Sequence, residues 1–132
     1  MPFTFNILKD EKRVYVVGEG ISHISECLEA MTDLSEDENF KPAFDVIVDL
    51  RSFKYSPSFR DAESIASKLS AMKENYRGKV AVVVSTNFLF GMVRMASILA
   101  DLAGFSFYAF HDYNKAVKWI ETGELEESDD YT

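Results

Sequence analysis

In the stretch Val80-Ala81-Val82-Val83-Val84-Ser85, Val80 to Val84 is an uninterrupted apolar run, bounded by Gly78 upstream and by polar Ser85-Thr86-Asn87 downstream. A short run with no polar face reads as a strand covered on both sides, as at the centre of a parallel sheet. Immediately after it, Phe88 to Ala103 carries apolar residues at helical spacing and meets Gly104, a helix stop. Phe105 to Phe110 is again strand-like. Asp112 then caps a helix carrying Ala116, Trp119 and Ile120, which Gly123 ends.

Upstream the same alternation holds. Phe44 to Leu50 is a strand, and Ser58 to about Tyr76 is a helix with Ala62, Ile65, Leu69 and Met72 on one stripe. Before these, Phe3 to Leu8 alternates apolar and polar residues, Lys9 to Lys12 is a polar turn, and Arg13 to Val17 is a second strand. The two form a hairpin. Ser22 is the expected N-cap of a helix to about Leu34, with Ile24, Leu28 and Met31 inward, followed by an irregular acidic loop over residues 35–42. Repeated strand–helix units imply parallel strands joined by right-handed crossovers. The expected architecture is one α/β domain over residues 1–123: a five-stranded mixed sheet opening with an antiparallel hairpin, about four helices, and an acidic disordered tail over 124–132.

Strand alternation predicts unequal sheet faces. One would show Val46, Val48, Leu50, Phe105, Phe107 and Ala109; the other Asp45, Ile47, Asp49, Ser106, Tyr108 and Phe110. Two carboxylates on a central strand argue against helices covering both faces equally. The later helices are therefore expected mainly on one face, with the other partly open, or closed by the first helix or by another subunit.

Composition narrows the function classes. The formal net charge of -8 disfavours nucleic acid and anionic lipid surfaces. Glu124, Glu126, Glu127, Asp129 and Asp130 supply much of it, yet no basic stripe appears elsewhere. The run Phe88 to Met95, broken by Gly91 and Arg94, is too short to span a bilayer, so integral membrane association is not expected. One cysteine, Cys27, makes no internal disulfide, and Met1 to Thr4 does not start a secretion signal. A cytoplasmic location is expected.

The segment from Val80 to Ile120, with Gly91-Met92-Val93-Arg94-Met95 and Ala116-Val117-Lys118-Trp119-Ile120, resembles the SpoIIAA-like family. Its members end in a similar Gly-Met-x-Arg-Met helix and an Ala-x-x-Trp-Leu helix, and Asp45-Val46-Ile47-Val48-Asp49-Leu50 matches its central strand. The resemblance covers roughly residues 1–121. It implies a βα superhelix, related in fold to STAS domains, anti-sigma-factor antagonists and Sec14-type lipid carriers. True antagonists carry an Asp-Ser-Ser-Gly motif whose serine is phosphorylated. Here the stretch is Tyr55-Ser56-Pro57-Ser58-Phe59-Arg60, so Ser56 and Ser58 are switch candidates without the motif.

No catalytic constellation emerges. His23, His111 and Cys27 show no finger-like metal-ligand spacing, and His111 lies far from the other two in sequence, so neither metal nor other cofactor is expected. Neither histidine lies near a nucleophile elbow. Gly18-Glu19-Gly20 superficially matches a dinucleotide turn, but His23 falls where the third glycine is needed. Cys27 suits a small buried hydrophobe better than a reactive thiol.

Asp49 and Arg51 close the central strand near the start of the next helix, and Ser85, Thr86 and Asn87 close the neighbouring one. Together with Ser58 they could line a polar, anion-binding pocket. The plainer account is preferred: Asp49 pairs with Arg51, while Ser58 (with Asp61) and Asn87 cap helices.

On the Phe88 helix, Phe88, Met92, Met95, Leu99 and Leu102 form the expected inner stripe. Phe90 falls among the outer Arg94, Ser97 and Asp101, and Leu89 and Val93 flank the apolar face. This is more apolar surface than one sheet contact uses. Either neighbouring helices cover it, or Leu89, Phe90, Val93 and Arg94 belong to an interface. The leading expectation is a non-enzymatic regulatory or protein-interaction module with an unidentified protein partner, and a candidate homodimer through the Phe88 to Leu102 helix or the open sheet face. The alternative is a Sec14-like carrier or sensor of a small apolar or anionic ligand.

Overall fold

The computed structural model describes residues 3–20, 23–54 and 58–125. Its elements are β1 (Phe3–Leu8), β2 (Arg13–Gly20), α1 (Ile24–Glu36), β3 (Asp45–Phe53), α2 (Phe59–Ala71), β4 (Val80–Val83), α3 (Asn87–Leu102), β5 (Tyr108–Phe110) and α4 (Tyr113–Thr122). They form the expected mixed five-stranded sheet, ordered β1-β2-β3-β4-β5. β1 and β2 pair antiparallel; every later neighbour is parallel.

Strand order equals chain order, and this decides where the helices go. Each crossover from β2 to β5 steps in one direction across the sheet, so right-handed connections place α1, α2 and α3 on one face. There Leu34, Ala62, Leu69, Val93 and Ala96 pack with Val14, Val16, Val46, Val48 and Leu50. α4 follows the last strand and has no further strand to reach. It folds onto the opposite face, burying Ala116, Trp119 and Ile120 against Ile47, Ala81, Val83 and Phe110. The helix that closes the second face is thus the last one; the first helix lies with α2 and α3. Thr4 and Asn6 on β1 remain exposed, so that face is only partly covered.

Several boundaries differ from the sequence reading for local reasons. β3 runs on to Phe53 because a bulge intervenes: Val17 pairs with Asp49, but Glu19 pairs with Ser52. The extra residue reverses the alternation, so Phe53 joins the core that Val46, Val48 and Leu50 face. Gly18 sits beside the bulge, where a Cβ would come within 2.6 Å of the Phe3 ring and 2.8 Å of the Leu50 side chain. α2 stops at Ala71, because the chain turns to bury Tyr76, whose hydroxyl donates to the Met31 carbonyl. β5 begins only at Tyr108: the Phe105 N–H donates to the Ala100 carbonyl at the end of α3, leaving the ladder without it. His23 is the N-cap of α1, and Ser22 lies outside the described residues.

The largest difference is the rotation of α3. Its buried face is Leu89, Phe90, Val93, Ala96, Ser97 and Ala100. The stripe expected to point inward lies at the margin instead: Phe88 is 58% exposed and Leu102 82%, while Met92, Met95 and Leu99 are half-buried at the edge of the core. Ala96 and Ala100 let the helix lie close to its neighbours, and Phe90 stacks on His111 with ring centroids 4.2 Å apart. Two apolar stripes competed for the core, and the one with small residues at its centre won.

Candidate functional site

The polar residues expected to converge lie at the end of the sheet where the parallel strands finish. Asp49 is held by Arg51, whose Nε and Nη2 donate to its two carboxylate oxygens at 2.9 and 2.8 Å, while the Arg51 backbone N–H donates at 3.0 Å. These bonds pull the Asp49 carboxyl below its ordinary pKa and raise that of the guanidinium. The guanidinium also lies over the Tyr113 ring, 4.7 Å from its centroid. Burial raises the Tyr113 phenol, with Tyr15 and Asp49 adding to the shift.

Ser85 joins this group through its hydroxyl, which donates to the Arg51 carbonyl at 3.1 Å and ties β4 to β3. Ser58 is an N-cap: its Oγ accepts from the Asp61 N–H at 3.2 Å, and its own N–H donates to Asp61 at 2.9 Å. Asn87 does not cap α3. Thr86 does, being the last extended residue, with Oγ1 accepting from the Leu89 N–H at 3.1 Å. Ser56 lies outside the described residues. Asp49, Arg51 and Ser85 are therefore brought together, and each is committed to a neighbour. Strand order also bears on this edge: ligand crevices in open α/β sheets form where strand order reverses, and here it runs monotonically.

Tyr113 and the Arg13–Tyr15 pair were not singled out in the sequence. Arg13 donates to the Tyr15 hydroxyl at 3.1 Å and lies 3.6 Å from Glu121 of α4. The Glu121 contact pins α4 across the sheet, and no local spacing announces it because the two residues are distant along the chain. Among the described residues no three His, Cys, Asp or Glu side chains gather as a metal site.

Two features of different character remain. The first is the outer face of α3. Phe88, Ile98 and Leu102 are exposed there, and a groove of about 300 Å³ lies alongside, lined by Arg94, Ser97, Ile98, Tyr108, Ala109 and Leu125. Of the four interface candidates, Leu89, Phe90 and Val93 are buried, so the rotation of α3 removes them from the surface. Arg94 stays exposed at the groove. A period of 3.6 had located the surplus apolar surface without fixing which stripe faces the solvent. The second feature is an apolar cavity of about 70 Å³ between the sheet and the three-helix layer, with Cys27 in its wall. Burial pushes the Cys27 thiol up to about 11.

No family model and no curated protein matches the chain. A solved structure does: an uncharacterized protein of the DUF3478 family from Shewanella loihica, described as having a SpoIIAA-like fold. It is 17% identical, with a TM-score of 0.54 over 89% of this chain and 93% of that one. At that identity the likeness fixes architecture, and it agrees with the monotonic strand order and the helix placement above: the chain has a SpoIIAA-like fold.

Proposed function

We propose that this chain is a non-enzymatic protein-interaction module that docks through the outer face of α3, with a second copy of itself as the first partner to test. The observation that carries the reading is the orientation of α3, which leaves three large apolar side chains, Phe88, Ile98 and Leu102, exposed to solvent after Leu89, Phe90, Val93 and its alanines are buried. Exposed apolar surface gathered on one element marks an association site. Gly91 lies on the same outer face with open space where a Cβ would stand, so another helix can approach the backbone closely there. A two-fold interface uses one patch twice, and a stripe with few charges is compatible with meeting itself.

The non-enzymatic part is supported by how the candidate reactive groups are used. His111 is stacked on Phe90, Asp49 is bonded to Arg51, and the Cys27 thiol is disfavoured from ionising.

Light scattering across a concentration series tests the reading. Wild type is expected to show dimer mass, and Leu102→Glu monomer mass with an unchanged circular dichroism spectrum. Monomer mass for both proteins at every concentration overturns self-association.

A further inference from the structure

The apolar cavity and a groove above it point to a small-molecule site apart from the α3 face. The cavity lies beneath the seam of α1 and α2, walled by Cys27 and Leu28 of α1, Ile65 of α2, Ala96 of α3, and Leu50 and Val82 of the sheet. Its lining is wholly apolar, and such cavities stay dry. Outside the same seam is a shallow groove of about 270 Å³, lined by Ser25, Glu29, Thr32 and Asp33 of α1 and Lys68 of α2. Leu28 lines both spaces. It is half-buried and is the side chain that the two spaces share. The seam is also the thinner of the two helix contacts, since α2 packs along α3 more extensively than along α1.

We propose that cavity and groove form one site for a short aliphatic amphiphile with a zwitterionic head, the chemical class of the aliphatic α-amino acids. The cavity sets the tail. About 70 Å³ is roughly half the volume of an apolar cavity that admits benzene, which suits a branched or short alkyl group of about three to four carbons. The groove sets the head. Lys68 offers a cation to a carboxylate, while Glu29 and Asp33 offer anions to an ammonium. Among the described residues these three side chains form no ion pair, so their charges are available. A tail alone leaves these charges unused, and a head of one sign meets one of them unfavourably.

Methyl NMR titration of the full chain tests the assignment, using L-leucine, n-butanol, n-butylamine and butyrate as probes. L-leucine is expected to give saturable shifts at the Leu28, Ile65 and Val82 methyls. Lys68→Ala is expected to weaken it by about tenfold, a change read as a shift in Kd. Val82→Ile, which adds a methyl group to the cavity wall, is expected to weaken it about as much while the spectrum keeps its native dispersion. Ala96→Val serves the same purpose if that variant does not fold. Absence of saturable shifts with L-leucine overturns the site. Equal affinity for n-butanol and L-leucine, or for one singly charged probe and L-leucine, overturns the zwitterionic head. These outcomes are independent of the mass measurements on the α3 face.

Discussion

Asp49 and Arg51 show what a sequence discloses about a single residue. Two residues apart on one strand, they share a face, and opposite charges there pair. That much is legible. The Tyr113 ring beneath the guanidinium is not, because only the placement of α4 brings it there. Arg51 holds the Asp49 carboxyl below its ordinary value of 3.8. The resulting stability is therefore fully present above 3.8, the unfolded-state value, and is lost as pH falls through the lower folded value. Asp49→Asn is expected to cost about 0.5–1 kcal/mol at neutral pH in urea unfolding, since the pair is partly exposed. The gap from wild type should narrow below about pH 4; a gap that widens there contradicts the assignment. Cys27 makes a second expectation. With its thiol pushed up to about 11, native protein at pH 8 should react with a thiol reagent at least about a hundredfold more slowly than urea-unfolded protein. Comparable rates would place the thiol at the surface.

At the scale of elements, the caps of α2 and α4 were readable, those of α1 and α3 were misplaced by one residue, and orientation was not readable. Ser58, Asp112 and Gly123 lie where their helices begin and end, because the chemistry of a cap is local. The ends of α2 and β5 were set instead by Tyr76 and Phe105, whose partners Met31 and Ala100 belong to other helices. α3 is the sharper case. Periodicity identifies stripes, and when two stripes are apolar the contact with the sheet chooses between them. Alanine-scale residues at Ala96 and Ala100 permit a close approach that Met92 and Leu99 do not. Phe90→Ala is accordingly expected to destabilise by about 3–5 kcal/mol, while Phe88→Ala on an isolated protomer changes stability by about 0.5 kcal/mol or less. Chemical denaturation of both variants at low concentration decides this, and a reversed order would restore the original orientation.

For the whole molecule, the alternation of strands and helices was sufficient to anticipate the mixed sheet, whereas the side taken by α4 needed the topology. Handedness constrains a crossover between two strands, and α4 joins none. Its layer is nevertheless part of the same cooperative unit, because Ile47, Ala81 and Val83 lie on strands whose other residues line the larger core. Trp119, the single tryptophan, packs there against Tyr108 and Phe110. Unfolding followed by tryptophan fluorescence and by far-ultraviolet circular dichroism should therefore give coincident transitions. An earlier fluorescence transition would show that the α4 layer detaches first.

The strand order has a consequence for how the chain is made. Because β1 to β5 lie side by side in the order of synthesis, each strand leaving the ribosome finds the edge it needs already emerged. The sheet can lengthen by one strand per βα unit without holding an edge open for a segment still to be translated. The second face is different: Ile47, Ala81 and Val83 await α4, the last helix to appear. Until then the nascent domain carries an uncovered apolar surface, which makes the interval before α4 emerges its most aggregation-prone.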